Sequence, residues 1–169
     1  MTHLTASRSR FVRRLGAAIG SVLLAGASVV AATTPASAVD KMTHSQATAA
    51  LSSSGITWSS SGNCSDRYNS TCTSFDQVNV ATIQGIQTLK SASGCSINVT
   101  GGTETGHADG TYTHWNGYKL DISKYSCIGS YITNTFTYIG GSKWQSGAGN
   151  IYYDEVSHWD ITYYNCGGC

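Results

Sequence analysis

The hydrophobic patterns along the chain follow the order helix, helix and then strand. The first pattern begins with Thr43, which stands three residues before Gln46 in the spacing of a capping box. A run rich in alanine follows, and Gly55 can end the helix. From Gly55 to Ser74 the chain is rich in serine and glycine, which predicts a loop.

The helix signature returns at Ser74, which stands three residues before Gln77. Apolar residues then follow at near-helical spacing: Val78, Ile83, Ile86 and Leu89. Gly94 can close the segment, because glycine is the residue most often found just beyond a helix. The pattern therefore predicts a second helix that starts after Ser74 and ends at Gly94.

Beyond Cys95 the pattern becomes that of β-strands. The segments SINVTGG and GYKLDIS alternate apolar and polar residues, as half-buried strands do, and NIYYDEV and HWDITYY predict two further strands. The segment CIGSYITNTFTYIGG is compatible with a strand or with a short helix. Helices followed by a strand-rich half predict an α+β fold, with N-terminal helices packed on a short antiparallel sheet.

Residues 1–38 have the composition of a secretory signal. Four arginines precede an apolar run, and the sequence ASA at Ala36–Ala38 is typical of a cleavage site. The pair Arg13-Arg14 allows twin-arginine export, but the residues after it favour the general secretory route. We expect cleavage after Ala38, no stable membrane anchor afterwards, and a single domain of residues 39–169 that is secreted or lies in the cell wall.

Loss of the signal changes the charge of the protein. All four of its arginines leave, so six basic residues remain against nine acidic ones and the net charge becomes −3. Residues 39–169 contain no block of basic residues. This composition argues against nucleic acid or an anionic membrane surface as partner, and we expect a monomer.

Six cysteines lie in the predicted mature chain: Cys64, Cys72, Cys95, Cys127, Cys166 and Cys169. An even number in an exported chain predicts three disulfides. Among fifteen possible pairings we favour Cys64–Cys72 across a short polar loop, Cys95–Cys127 between core elements, and Cys166–Cys169. The alternative, a zinc site made of four cysteines, requires thiolates that stay reduced.

The segments HWNGYKLD and EVSH together predict a metal site. His114 and Asp121 stand seven residues apart in the first segment, and Glu155 stands three residues before His158 in the second. A catalytic zinc ion takes three nitrogen and oxygen ligands and keeps a fourth position for water. His114, Asp121 and His158 supply that set, and Gly117 allows a turn into the strand of Asp121.

The pattern H-x-x-G-x-x-x-D followed by E-x-x-H resembles the zinc D-alanyl-D-alanine peptidases and related peptidoglycan peptidases of the hedgehog-like metallopeptidase fold. The resemblance extends from INVTGG to HWDI. It implies that His114, Asp121 and His158 are zinc ligands and that Glu155 is the catalytic base. Asp154, the neighbouring acid, is the alternative base. The family fold, a short antiparallel sheet with helices on one side, agrees with the pattern-based prediction.

One departure from the family pattern concerns positive charge. The family has an arginine shortly before the first ligand, where this chain has Thr103 and Glu104. The only arginine outside the signal, Arg67, lies far upstream in the sequence. His107 is our candidate for the group that stabilises the oxyanion instead, and Lys119 is a second candidate whose reach the sequence does not define.

These observations predict a secreted zinc metallopeptidase that hydrolyses peptide bonds in peptidoglycan stem peptides, as a D,D- or L,D-peptidase, or in another peptide substrate. The alternative is a secreted, disulfide-stabilised binding or inhibitor module with a structural or relict zinc site. Serine chemistry has little support, because Ser157 lies in VSHW and not in a nucleophile elbow. Thiol catalysis needs a free cysteine, which the even count disfavours.

Overall fold

The computed structural model describes residues 39–164. The predicted signal, residues 1–38, and the predicted Cys166–Cys169 pair lie outside the described residues. Within residues 39–164 the helices are α1 (His44–Ser53), α2 (Val80–Ser93) and α3 (Ser126–Thr135). The strands there are β1 (Lys41–Met42), β2 (Thr57–Trp58), β3 (Val78–Asn79), β4 (Asn98–Gly101), β5 (Lys119–Ser123), β6 (Thr137–Gly140), β7 (Lys143–Gln145), β8 (Ile151–Glu155) and β9 (His158–Thr162).

Helix α1 begins as its sequence predicts. The Thr43 hydroxyl accepts a hydrogen bond from the Gln46 backbone N–H at 3.3 Å, and the Gln46 side chain accepts one from the Thr43 N–H at 2.9 Å. This reciprocal capping box satisfies two backbone donors that the helix itself leaves unpaired. The local sequence therefore determines where α1 starts.

Helix α2 begins at Val80, so the predicted start after Ser74 was wrong. The backbone of Ser74 makes long-range contacts instead: its N–H donates to Glu104 at 2.7 Å and its carbonyl accepts from Thr103 at 2.6 Å. The end of α2 was predicted correctly, because Gly94 has a φ of 65° and ends the helix in the left-handed conformation.

The ambiguous segment after Cys127 contains both structures that its sequence allows. Residues Ser126–Thr135 form helix α3 and Thr137–Gly140 form strand β6. The four segments predicted as strands contain β4, β5, β8 and β9. Strands β1, β2, β3 and β7 were not predicted, since each is only two or three residues long.

Seven strands form the main sheet in the order β2-β4-β5-β9-β8-β7-β6. Strand β2 pairs with β4 in parallel, and the other pairs of this sheet are antiparallel. A small second sheet joins β1 and β3. The α+β class is confirmed, with a mixed sheet in place of a purely antiparallel one.

The central strands present two different faces. In β5 and β9 the side chains that face the helices are apolar and buried: Leu120, Ile122, Trp159 and Ile161. They share one core with Ile83 and Ile86 of α2 and Ile128 and Ile132 of α3. We call this side of the sheet the helix face. The alternate residues of the same strands lie on the opposite side, the site face, which includes Asp121, His158 and Asp160.

Two disulfides connect the chain as predicted, Cys64–Cys72 and Cys95–Cys127. The second joins Cys95, two residues beyond the end of α2, to Cys127 in helix α3, at a sequence separation of 32 residues. Two disulfides in one small domain are typical of an oxidising environment. Among residues 39–164, none of the helices has the length and apolar character needed to cross a bilayer.

Candidate metal centre

The loop between β4 and β5 brings two histidines over the site face. His114 lies at a turn that Gly117 completes, with a hydrogen bond of 2.8 Å from the Gly117 N–H to the His114 carbonyl. Gly117 has a φ of 81°, and a Cβ there would lie 2.5 Å from the Gln77 carbonyl oxygen. Glycine is therefore required, as the sequence predicts, for the chain to turn back into the strand of Asp121.

His114 is buried and its two ring nitrogens have different surroundings. Its Nδ1 lies 2.7 Å from the Gly102 carbonyl oxygen, so Nδ1 carries a hydrogen and donates. Its Nε2 lies 3.2 Å from Asp121 Oδ1 and 3.8 Å from Asp160 Oδ2. A backbone carbonyl that fixes one ring nitrogen while the other faces carboxylates is the usual arrangement of a metal-binding histidine.

Two atoms that could bind a metal ion at this point have no hydrogen bond. Within the described range, His114 Nε2 and Asp121 Oδ1 are fully buried and lack a hydrogen-bond partner. A buried polar atom without a partner costs about 1–3 kcal/mol. A cation between the two atoms would satisfy both, so these residues fit a metal ion.

In the absence of metal, a proton is the alternative cation. Burial alone would lower the pKa of His114, but the charges and hydrogen-bonding capacity of Asp121 and Asp160 outweigh burial and raise it to about 10. The site therefore favours a positive charge at this position.

The structure brings the third predicted ligand to the same place. His158 Nε2 lies 3.5 Å from Asp121 Oδ1, and His158 Nδ1 lies 2.9 Å from the Ser157 hydroxyl. The pairing of β5 with β9 makes this proximity possible, because it places Asp121 opposite Asp160, which is two residues from His158 and on the same face of β9. The predicted set His114, Asp121 and His158 thus converges on one carboxylate oxygen.

Glu155 and Asp154 lie on opposite faces of β8. Glu155 pairs with His158 across the β8–β9 hairpin, and its Oε2 lies 3.2 Å from His158 Nε2. Asp154 pairs with the core residue Trp159, and its carboxylate forms an ion pair with Lys124. Of the two acids considered as catalytic base, only Glu155 is close to the predicted ligands.

His107 lies closer to the site than its position in the sequence suggested. Its ring stacks on that of His114 with 3.7 Å between centroids, and its Nδ1 lies 3.9 Å from Asp121 Oδ2. Ligand atoms of His107, His114 and Asp121 all lie within 4.8 Å of one another, so these residues form a group that could hold a metal ion. The role of His107 in stabilising the oxyanion stays a prediction. Its position adds a second candidate role, that of a metal ligand.

Glu104 occupies the region where the family pattern has an arginine, and it contacts His107. The buried Glu104 carboxylate accepts hydrogen bonds from the N–H groups of Ser74 and Gly102 and lies 3.3 Å from His107 Nε2. Burial alone would raise the pKa of Glu104, but these hydrogen bonds lower it below its usual value. A carboxylate on one ring nitrogen leaves the other nitrogen of His107 facing Asp121 as a potential ligand.

Arg67 is distant in sequence but adjacent in space to this segment. Its Nε donates to the Thr103 carbonyl at 3.1 Å, and its guanidinium lies 3.8 Å from the centroid of the Trp115 ring and also donates to the Trp115 carbonyl. The Thr105 N–H returns a hydrogen bond of 2.8 Å to the Arg67 carbonyl. The loop closed by Cys64–Cys72 therefore fixes the backbone on both sides of the two histidines.

Asp160 is a site residue that the sequence analysis missed. Its Oδ2 lies 2.7 Å from Lys119 Nζ, so Lys119 does reach the site. Burial would raise the pKa of Asp160, but His114 and Lys119 lower it below the usual value. The alternation in HWDIT was the available signal, since it places Asp160 on the same face as His158.

Comparisons with known proteins give no relative from which a role could be transferred. No family model, no curated protein and no solved structure matches this chain. A function for this chain has to be inferred from the geometry and chemistry of this site and from its sequence motifs.

Proposed function

We propose that the protein is an exported zinc metallopeptidase that hydrolyses peptide bonds in peptidoglycan stem peptides. The observation that carries the proposal is the meeting of His114 Nε2 and His158 Nε2 at Asp121 Oδ1, at 3.2 and 3.5 Å, with Glu155 beside them. Two imidazoles and a carboxylate are a common ligand set of catalytic zinc. The substrate class rests on the resemblance of the two sequence motifs to peptidoglycan peptidases.

The roles of the residues follow from their positions. His114, Asp121 and His158 would hold the zinc ion, which when bound would supply the Lewis acidity that activates water and polarises the scissile carbonyl. Glu155 accepts the proton of the attacking water and returns it to the leaving amine. Lys119 and His107 both line the cavity of about 370 Å³ above the site, and either can place positive charge or a hydrogen-bond donor near the developing oxyanion.

The replacement Glu155→Gln tests the proposal. We expect hydrolysis of a stem pentapeptide to fall about 10²–10⁴-fold, because a general base contributes a factor of that size, while the zinc content stays near one ion per chain. Asp154→Asn is the matched control and should leave turnover unchanged. Full activity in Glu155→Gln would refute the assignment of the base, and absence of bound metal in the wild type would overturn the proposal.

A second function is favoured by His107. The group that could hold a metal ion consists of His107, His114 and Asp121, and His158 lies 3.5 Å from Asp121 outside this group. If His158 binds the same zinc ion, the site has four protein ligands and keeps no position for water. The protein would then be a disulfide-stabilised binding or inhibitor module with structural zinc. A chelator would unfold such a protein, whereas it would inactivate the peptidase without unfolding it, and circular dichroism with and without chelator separates the two cases.

A further inference from the structure

A row of side chains crosses the site face from the candidate metal centre to the β6–β7 hairpin. The register pairs Asp121 with Asp160, Asp160 with Tyr153, and Tyr153 with Lys143. Residues directly opposite one another in antiparallel strands have side chains on the same face. The row therefore leads from β5 across β9 and β8 to Lys143 on β7.

The surface along this row is concave. The cavity above the candidate metal centre adjoins a second cavity of about 400 Å³, and the two share Tyr112, Lys119 and Asp160 in their walls. The second cavity extends to Tyr153 and Lys143. We call this continuous depression the trough. Its position shows that a ligand at the metal centre can extend in one direction over β9 and β8.

The two lysines of the trough differ in their surroundings. Lys119 forms an ion pair with Asp160 at 2.7 Å. Lys143 is exposed, its Nζ lies 4.8 Å from the centroid of the Tyr153 ring, and no carboxylate in the described part of the chain forms an ion pair with it. An exposed lysine alone is ordinary, but this one lies beside an aromatic ring at the far end of a trough that begins at the candidate metal centre.

The length of the trough defines what can bind there. Neighbouring strands lie about 4.8 Å apart, so the three steps from β5 to β7 span roughly 14 Å. An extended peptide covers about 3.3 Å per residue, so this distance corresponds to about four residues. We propose that the trough binds the substrate on one side of the scissile bond and that Lys143 selects substrates with a carboxylate about four residues from that bond. This inference rests on the proposed peptidase function.

Two peptides that differ in one group test the selection. The probe is L-Ala-γ-D-Glu-L-Lys-D-Ala-D-Ala with a free glutamyl α-carboxylate. This carboxylate belongs to the third residue before the D-Ala–D-Ala bond, and the γ-linkage places it about one residue length further from that bond. The second peptide carries an amide at that carboxylate. We expect zinc-loaded wild type to prefer the acid, and Lys143→Met to raise KM for the acid about threefold to fivefold without changing KM for the amide, as expected for an exposed ion pair. Lys90→Met, on helix α2 across the sheet, is the matched control and should keep the preference.

A binding experiment separates this inference from the proposed function. Calorimetry with the zinc-loaded Glu155→Gln protein, with and without Lys143→Met, measures selection without turnover. If the wild type cleaves neither peptide but Lys143-dependent preference for the acid remains in binding, the peptidase proposal fails and the selective trough stands. Equal binding of both peptides, no binding of either, or a preference that survives Lys143→Met overturns the inference.

Discussion

The helix face and the site face of the sheet are built from alternate residues of the same strands, yet burial has opposite effects on the free energy of the two faces. On the helix face, Leu120 and Ile122 are completely buried among apolar neighbours. On the site face, Asp121 and Asp160 are almost as deeply buried, at 6% exposure each. Burial stabilises the first pair and costs free energy for the second, because a carboxylate loses its hydration.

This contrast separates the residues that stabilise the fold from the candidate binding residues. The apolar residues need only each other, whereas Asp121 Oδ1 and Asp160 Oδ1 are buried and, within residues 39–164, have no hydrogen-bond partner. A protein retains such a cost where a ligand or a reaction compensates for it. Substitutions on the two faces should therefore change different measurable quantities.

The largest effect is expected on the helix face. Ile122→Ala should lower the free energy of unfolding by about 2–5 kcal/mol, because it leaves a cavity at a completely buried position. Urea unfolding with and without zinc measures this loss, and the additional stabilisation by zinc should not change. Ser123→Ala, the next residue and half-buried on the site face, is the control. A loss below about 1 kcal/mol in Ile122→Ala would contradict the division between the faces.

The second-largest effect is expected at Asp121, which precedes Ile122 and lies on the site face. Asp121→Asn keeps the size of the side chain but removes the charge toward which three histidines converge. We expect zinc affinity to fall by more than about 100-fold, since even a residue that only orients a ligand is worth 10–100-fold. Competition with a chromophoric chelator measures the affinity, with Asp154→Asn as control. Unchanged affinity would exclude Asp121 as a ligand.

A smaller effect is expected at Glu104, which contacts the candidate ligand His107. Glu104→Gln keeps the acceptor for Ser74 and Gly102 but weakens the hold on His107. If His107 is a ligand, zinc affinity should fall about 10–100-fold in the same chelator competition. Asp109→Asn, an exposed acid of the same loop, should have no effect. Equal affinities of Glu104→Gln and wild type would leave His107 outside the ligand set.

The last effect concerns pH and is small within any one pH unit, because it is spread over several units. Without metal, the pKa of His114 is raised to about 10 from its ordinary 6.5, so the folded state binds a proton that the unfolded state releases. This stabilisation is fully present below about pH 6.5 and is lost as pH rises toward 10, with a slope of at most about 1.4 kcal/mol per pH unit. Urea unfolding of chelator-treated protein from pH 6.5 to 9.5 should show the decline, and His114→Ala should remove it. A wild-type curve that is flat or rises with pH would contradict the prediction.

The zinc affinity should show the opposite dependence on pH. The metal must displace the proton on His114, so affinity should increase as pH rises through the same range. Isothermal titration in buffers of different ionisation enthalpy should show about one proton released per zinc ion at pH 8. Uptake or absence of protons would show that His114 is neutral before metal binds.

Local patterns in the sequence predicted the parts of the structure that neighbouring residues determine. The capping box at Thr43, the end of α2 at Gly94 and the alternation in β5 depend on residues a few positions apart. The start of α2 was wrong because contacts of Ser74 with Thr103 and Glu104 decide it. No local pattern carries such long-range contacts.

The candidate site shows the same limit. Motif spacing and the family resemblance selected His114, Asp121 and His158, which the fold places around one oxygen atom. The contact of Glu104 with His107 and the bracing of Thr103 by Arg67 depend on how loops fold back on each other. Their residues are ordinary in the sequence, and only the tertiary structure shows what they touch.

The register between β5 and β9 determines both whether the chain is correctly folded and whether the candidate site is assembled. Five residue pairs fix this register, from Lys119 opposite Thr162 to Ser123 opposite His158. A slip of β9 by one residue would turn every side chain to the other side of the sheet, so that His158 and Asp160 would enter the core while Trp159 and Ile161 faced water. Burial of His158 and Asp160 in the core would therefore destabilise a misaligned molecule. A chain that has reached its stable fold has also assembled its site.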